Sequence, residues 1–309
     1  MSEREIDPRR IALIGFGEFG KTFARGFVAT GRHEVASYDI LFDNSERGAA
    51  LRETARAMGV EAAPTAAAAA AGAQVVISAV TASSAFAVAE DASRYLRAGQ
   101  FFLDINSVSP ETKRADAAAV APSGAHYVEA AVMAPVAPYG LKVPMLLGGT
   151  AAAELAALLA PSGLRMEPVA TEIGEASAIK MCRSVMIKGI EALAVECFMT
   201  ARRYGVEDRI VASLNETFKP LDWEKLAGYL IERVVQHGRR RAAEMREAAE
   251  TVAAIGLDPV MTSATALRQD WVADRVDALP ALKGMKEAEW RDAADRLLAL
   301  IGKKADAAG

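Results

Sequence analysis

The spacing of apolar residues changes near residue 171. Before it, short apolar runs at 10–14, 34–39, 74–80, 101–104, 126–132, 144–147 and 164–169 read as strands. The run 74–80 is apolar without alternation, the pattern of a parallel strand buried on both faces. Between these runs lie segments with helical spacing at 21–28, 45–58, 83–97, 110–120 and 151–159. The alanine run 66–71 sits between Pro64-Thr65 and Gly72, the punctuation of a short helix rather than of low complexity. Strand and helix in alternation predict a doubly wound parallel sheet with helices on both faces.

Beyond Thr171 the strand signal stops. Residues 175–204 hold no proline and only Gly189, which predicts a helix of about 30 residues, some 45 Å long at the usual rise. That length suits a connection between domains. Asp222 can cap a following helix in which Leu226, Leu230 and Val234 form an apolar stripe, with Gly238 as a break. Further helices are expected at 239–255, 261–276 and 287–301, and an unstructured tail at 303–309. The expectation is therefore two domains, residues 1–170 and 171–309, the second all-helical and opening with an interdomain helix over 173–204. At 309 residues the chain exceeds the usual size of one domain, which agrees.

The chemistry begins at the first strand's end, with Gly15-Phe16-Gly17-Glu18-Phe19-Gly20. A glycine triad at a strand-to-helix turn is the dinucleotide fingerprint: the first glycine for the turn, the second for close approach of a pyrophosphate, the third for helix–strand packing. A plain structural turn would also use such glycines. Asp39 ends the second strand at about the 20-residue distance expected of the acid that binds the adenine ribose, although Asp also serves as a cap or turn residue. Together they predict a Rossmann-type nucleotide domain with an all-α C-terminal domain joined by a long helix. Ile40, Leu41 and Phe42 follow Asp39, and the nearest arginine is Arg47, so NAD is expected over NADP. Val80 and Thr81 stand at the C-terminal end of a strand, where dinucleotides bind in such sheets.

Charge and composition narrow the remaining classes. A net charge of −4 offers no footing for nucleic acid or an anionic membrane. No run of about 18 uncharged apolar residues is present, and the first ten residues lack the apolar stretch of a signal peptide. Cys182 and Cys197 fall on one predicted helix about 22 Å apart, beyond disulfide reach. A reduced, cytoplasmic protein without a metal site is expected.

Lys180 lies near the start of the long helix among Ile173, Met181, Val185 and Ile187, which suggests a largely buried helix. Burial or a neighbouring cation such as Arg183 lowers a lysine pKa, and a lysine tuned towards neutrality can take a hydroxyl proton as hydride leaves the same carbon. Local sequence alone favours a snorkelling lysine.

The segment Gly174-Glu175-Ala176-Ser177-Ala178-Ile179-Lys180-Met181-Cys182-Arg183 resembles the GxGxxxKxxN pattern of the β-hydroxyacid dehydrogenase family, which includes 3-hydroxyisobutyrate and 6-phosphogluconate dehydrogenases. The second half looks closer to a little-characterised branch. The resemblance implies that Lys180 is the general acid/base. Ala176 replaces the second glycine and Arg183 the asparagine, with Ser184 following. Residues 129–135 (EAAVMAP) resemble the family's substrate loop, but Met133, Ala134 and Pro135 stand where a serine and two glycines are usual, which casts doubt on the usual small hydroxyacid substrate. Residues 139–149 keep the paired glycines Gly148-Gly149. Asn106 and Ser107 follow Asp104 much as an Asp-x-Ser-Thr or Asn-Ser motif does in the family, near the nicotinamide and substrate, although both are also ordinary loop formers.

In the second half, His237 continues the apolar stripe, as a core histidine or a ligand contact, and Arg239 to Arg241 form a basic cluster, either solvated or an anion clamp. The expected activity is NAD-dependent oxidation of a secondary alcohol, with oxidative decarboxylation, imine reduction and non-catalytic NAD(H) binding as alternatives; Lys180 argues against the imine reductases, which usually lack it. The family also implies a homodimer.

Overall fold

A computed structural model of the chain describes residues 9–44 and 46–301. Ser45, the expected start of a helix, and the expected tail at 303–309 lie outside the described residues. The chain divides into two compact units, with the boundary between Met181 and Cys182.

The first unit is built on one eight-stranded sheet: β1 (Arg10–Ile14), β2 (Glu34–Tyr38), β3 (Glu61–Ala62), β4 (Val75–Ser78), β5 (Phe101–Asp104), β6 (His126–Val132), β7 (Met145–Gly148) and β8 (Met166–Ala170). Their order across the sheet is β3-β2-β1-β4-β5-β6-β7-β8. Among the described residues six α-helices accompany them: α1 (Glu18–Ala29), α2 (Gly48–Ala57), α3 (Ala66–Ala70), α4 (Ala85–Ala92), α5 (Pro110–Val120) and α6 (Ala152–Leu159). β1 is buried on both faces: Ile11 and Leu13 join Phe23 and Phe27 in one apolar cluster, while Ala12 and Ile14 join Ala69, Val76 and Phe102 in another. That two-sided burial is what the unbroken apolar runs demand.

Two departures from the sequence expectation have local causes. β7 pairs antiparallel to β6, although the rest of the sheet is parallel. The connection 133–144 contains only a short 3-10 turn at Gly140–Lys142, so no crossover helix carries the chain back, and Met133 N donates to Pro144 O at 2.9 Å. β3, two residues long at the sheet edge, gives too short a pattern to signal itself.

The long helix expected after Gly174 is α7 (Glu175–Tyr204), unbroken over 30 residues and crossing the unit boundary. The second unit continues with α8 (Glu207–Thr217), α9 (Trp223–Ala254), α10 (Val260–Ala278) and α11 (Trp290–Ala299). α8 is absent from the sequence expectation because its N-cap is Val206, which makes no side-chain cap bond. Gly238 does not break α9, which runs continuously for 32 residues. A Cβ there would stand 2.8 Å from the Gln269 carbonyl oxygen of α10, so the glycine admits a close helix crossing. The core of this unit gathers Phe198, Leu230, Val234, Val272 and Trp290. Among the described residues, no helix is long and apolar enough to cross a membrane.

Candidate functional site

The turn after β1 is shaped by its three glycines in three different ways. Gly15 has φ +106°, and a Cβ on it would fall 2.2 Å from the Ala79 carbonyl oxygen, so the turn closes only with glycine. A Cβ on Gly20 would sit 2.1 Å from the Gly15 carbonyl oxygen, which brings α1 hard against the turn. A Cβ on Gly17 would meet no neighbouring element within 4 Å; the space over it is open. It is also the N-cap of α1 and supplies no side-chain cap, so the first-turn N–H groups have no side-chain acceptor. An open glycine at a helix N-terminus with undonated N–H groups fits a phosphate.

Asp39 stands just past β2 beside this turn. Its Oδ2 accepts from Phe16 N at 2.6 Å and its Oδ1 from Leu41 N at 2.9 Å, so the carboxylate is locked before any ligand arrives. Ile40 beside it is 77 % exposed. Each carboxylate oxygen keeps a second acceptor direction, which suits two vicinal ribose hydroxyls. The side chains of Phe16 and Phe19 are not part of this surface: Phe16 is in the core and Phe19 packs on Phe23, so only their backbone can serve a ligand. Glu18 is exposed in the first turn of α1.

Past β1 the next positions belong to β4 and β5. Asn106 is buried; its Oδ1 accepts from Val80 N at 2.7 Å and its Nδ2 donates to Ser78 Oγ at 2.9 Å, tying the two strand ends together. Thr81 is exposed, its hydroxyl within 3.0 Å of Ser84 Oγ. The Ser107 hydroxyl, shielded from solvent, has no hydrogen-bond partner among the described residues, the condition of a group that a ligand satisfies.

Lys180 lies in the second turn of α7, half-buried and already engaged in a polar interaction. The helix around it is less buried than its sequence suggests: Met181 is buried, but Ile179, Met186 and Ile187 are exposed, because the apolar residues of this stretch point to more than one side. Its start is fixed by a residue the sequence reading passed over. Glu129 of β6, fully buried, accepts from Gly174 N at 2.6 Å and Ala176 N at 3.2 Å through Oε1, and from Ser177 N at 3.3 Å through Oε2. Gly174 reaches this position with φ +106°. A carboxylate on a helix N-terminus is favoured by both the free N–H groups and the dipole.

Met133 and Ala134, just beyond β6, are half-buried. Arg183 and His237 belong to the second unit, Arg183 exposed and His237 half-buried. The three arginines beyond His237 are all committed to carboxylates, which disfavours an anion clamp. Arg239 reaches Asp270 at 3.1 Å, Asp274 at 2.7 Å and Asp277 at 3.0 Å, Arg240 pairs with Glu244 at 3.6 Å, and Arg241 is buried against Glu191.

Two further buried clusters escaped the sequence reading. In the first unit Lys113 and Asp104 are an ion pair, each 1 % exposed. In the second, Lys188 pairs with Glu244 at 2.8 Å and donates to Ser184 Oγ at 2.9 Å, while Glu191 takes Arg241 and Gln269. Burial pushes the Lys188 ammonium below the usual lysine range, against the pull of Glu244. The available signal was a charge inside an apolar pattern, as in Tyr127-Val128-Glu129-Ala130-Ala131 or Met186-Ile187-Lys188-Gly189-Ile190-Glu191.

Residues 10–108 match the family model described as NADP oxidoreductase coenzyme F420-dependent, and residues 201–272 match a domain of unknown function, DUF1932. A conserved hypothetical protein from Sinorhizobium meliloti 1021 is 40% identical, with 94% of this chain and 96% of that chain covered and a TM-score of 0.76. A second solved protein of unknown function, described as structurally similar to 3-hydroxyacid dehydrogenases, is 33% identical over 86% of this chain and 97% of its own, with a TM-score of 0.68. The 3-hydroxyisobutyrate dehydrogenase of Mycobacterium tuberculosis shares the fold at 19% identity, with 92% of this chain and 98% of that chain covered and a TM-score of 0.70. With the glycine turn, the eight-stranded sheet and the helical second unit in place, the chain belongs to the β-hydroxyacid dehydrogenase family.

Proposed function

We propose that the protein is a nicotinamide-dependent oxidoreductase that moves a hydride between a secondary alcohol, β to a carboxylate or another polar group, and NAD. The observation that carries this reading is the open space over Gly17 at an uncapped helix N-terminus, with Asp39 fixed beside it. The α1 N–H groups bind the pyrophosphate, and the Asp39 carboxylate accepts from the ribose hydroxyls and repels a 2′-phosphate, which supports NAD over NADP. When bound, the nicotinamide supplies the hydride acceptor. Asn106 holds the β4 and β5 ends, Ser107 offers its unpartnered hydroxyl to the substrate, and Lys180 takes the hydroxyl proton on oxidation or returns it on reduction.

Mixing the protein with NAD and a panel of hydroxyacids, and following the absorbance of reduced nicotinamide, finds the substrate. Lys180→Met then keeps NADH binding and loses turnover by orders of magnitude; an unchanged kcat removes Lys180 from the mechanism. A homodimer is part of this proposal. It is supported by exposed apolar side chains on α7 (Met186, Leu193) and α10 (Val260, Met261, Leu267), and sedimentation tests it. The free thiols of Cys182 and Cys197 support a reducing, cytoplasmic setting.

A further inference from the structure

Lys113 has no place in the proposed chemistry, yet it is among the largest fully buried side chains of the molecule. Taking an ammonium out of water costs several kcal/mol, and an apolar residue of similar size would pack at no such cost. What the charge does is visible in its contacts. From the first turn of α5, Nζ donates to the Asp104 backbone oxygen at 2.9 Å and lies 2.9 Å from Asp104 Oδ1. The same Oδ1 accepts from Asn106 N at 2.9 Å, and Oδ2 accepts from the Tyr127 hydroxyl at 2.7 Å. Burial and Asp104 together push the Tyr127 hydroxyl well above the usual tyrosine range, so it stays a donor. Asp104 is thus a hub: one carboxylate oxygen fixes the start of the Asn106–Ser107 turn, and Lys113 holds the hub from behind.

The sheet order says which part of the ligand this turn faces. Asp39 follows β2 and the glycine turn follows β1; β4 and β5 come next in the same direction. A dinucleotide with its adenine ribose at Asp39 and its pyrophosphate at Gly17 runs on towards β4 and β5, so the Asn106–Ser107 turn meets the nicotinamide end.

We propose that Lys113 is a positioning residue for the nicotinamide half of the site: through Asp104 it sets the place of Asn106 and Ser107. This rests on the cofactor reading above. Lys113 touches neither cofactor nor substrate and acts only through Asp104.

The test compares NADH with ADP-ribose, which lacks the nicotinamide, by titration calorimetry on the full chain. Lys113→Met leaves Asp104 buried without its counter-charge, so the neutral pair Lys113→Met/Asp104→Asn is measured beside it, and Tyr127→Phe serves as a variant that keeps both charges. In each variant that melts as a folded protein, NADH affinity falls by about tenfold while ADP-ribose affinity stays within about twofold, with the smallest loss in Tyr127→Phe. Equal losses for both ligands, or no loss for either, overturn the inference. If wild-type protein binds neither ligand, the cofactor reading fails first and the inference falls with it.

Discussion

Two helices in the first unit begin under the same electrostatic conditions and end up in opposite states. α1 starts at Gly17 with no side-chain cap and open space over its first turn. α7 starts at Gly174 with a buried carboxylate from another strand bonded to three of its first N–H groups. Each N-terminus carries the same surplus of donors and the same positive dipole end. The protein satisfies one from within and leaves the other without a side-chain cap. In the proposed function the closed one carries the acid/base Lys180, and the open one receives the pyrophosphate.

The comparison breaks or sharpens through substitution. The largest effect is expected at Gly20→Val, whose Cβ overlaps the Gly15 carbonyl: the first unit loses more than about 4 kcal/mol, and the thermal melt and NADH binding collapse together. Glu129→Ala strips α7 of its acceptor and leaves three buried N–H groups unpaired, costing about 3 kcal/mol or more. A melting curve like that of wild type would mean that α7 does not need the carboxylate. Gly17→Ala is the sharpest contrast with both. Its new methyl group meets only the ligand, so stability stays within about 0.5 kcal/mol of wild type while NADH affinity drops about tenfold. If the affinity holds, the open end of α1 is not the phosphate site.

The smallest effect is expected at Asp222→Ala, where α9 is capped by its own neighbour in an exposed position. The Lys225 N–H holds the Asp222 carboxyl below the usual carboxylate range. Its contribution is therefore present above the ordinary carboxylate pKa and disappears as pH falls through the depressed one. The melting difference between wild type and Asp222→Ala should vanish at low pH.

What could be read in advance follows from the range of each interaction. The glycine turn and Asp39 stood out because they form a spaced pattern, a glycine triad after one strand and an acid at the end of the next, and α7 because a proline-free apolar stretch of that length has few alternatives. Glu129 was not, since its partners stand 45 to 48 positions away. Asp104 was read as a strand end opening a family-like motif but not as a hub, because Lys113 and Tyr127, which make it one, come from α5 and β6. The direction of β7 depended on the absence of a crossover helix, and the continuity of α9 on a close contact at Gly238 that its own sequence does not reveal.

The double bonding of Asp39 has a consequence for anyone redesigning cofactor choice. The usual route to accept a 2′-phosphate removes the acid and brings in a small or basic side chain. Here the same carboxylate ties the Phe16 and Leu41 amides together, so its removal also releases the turn that is proposed to receive the pyrophosphate. Selectivity and affinity are coupled at one side chain, and a successful switch must install a new acceptor for Phe16 N–H before it installs a new preference.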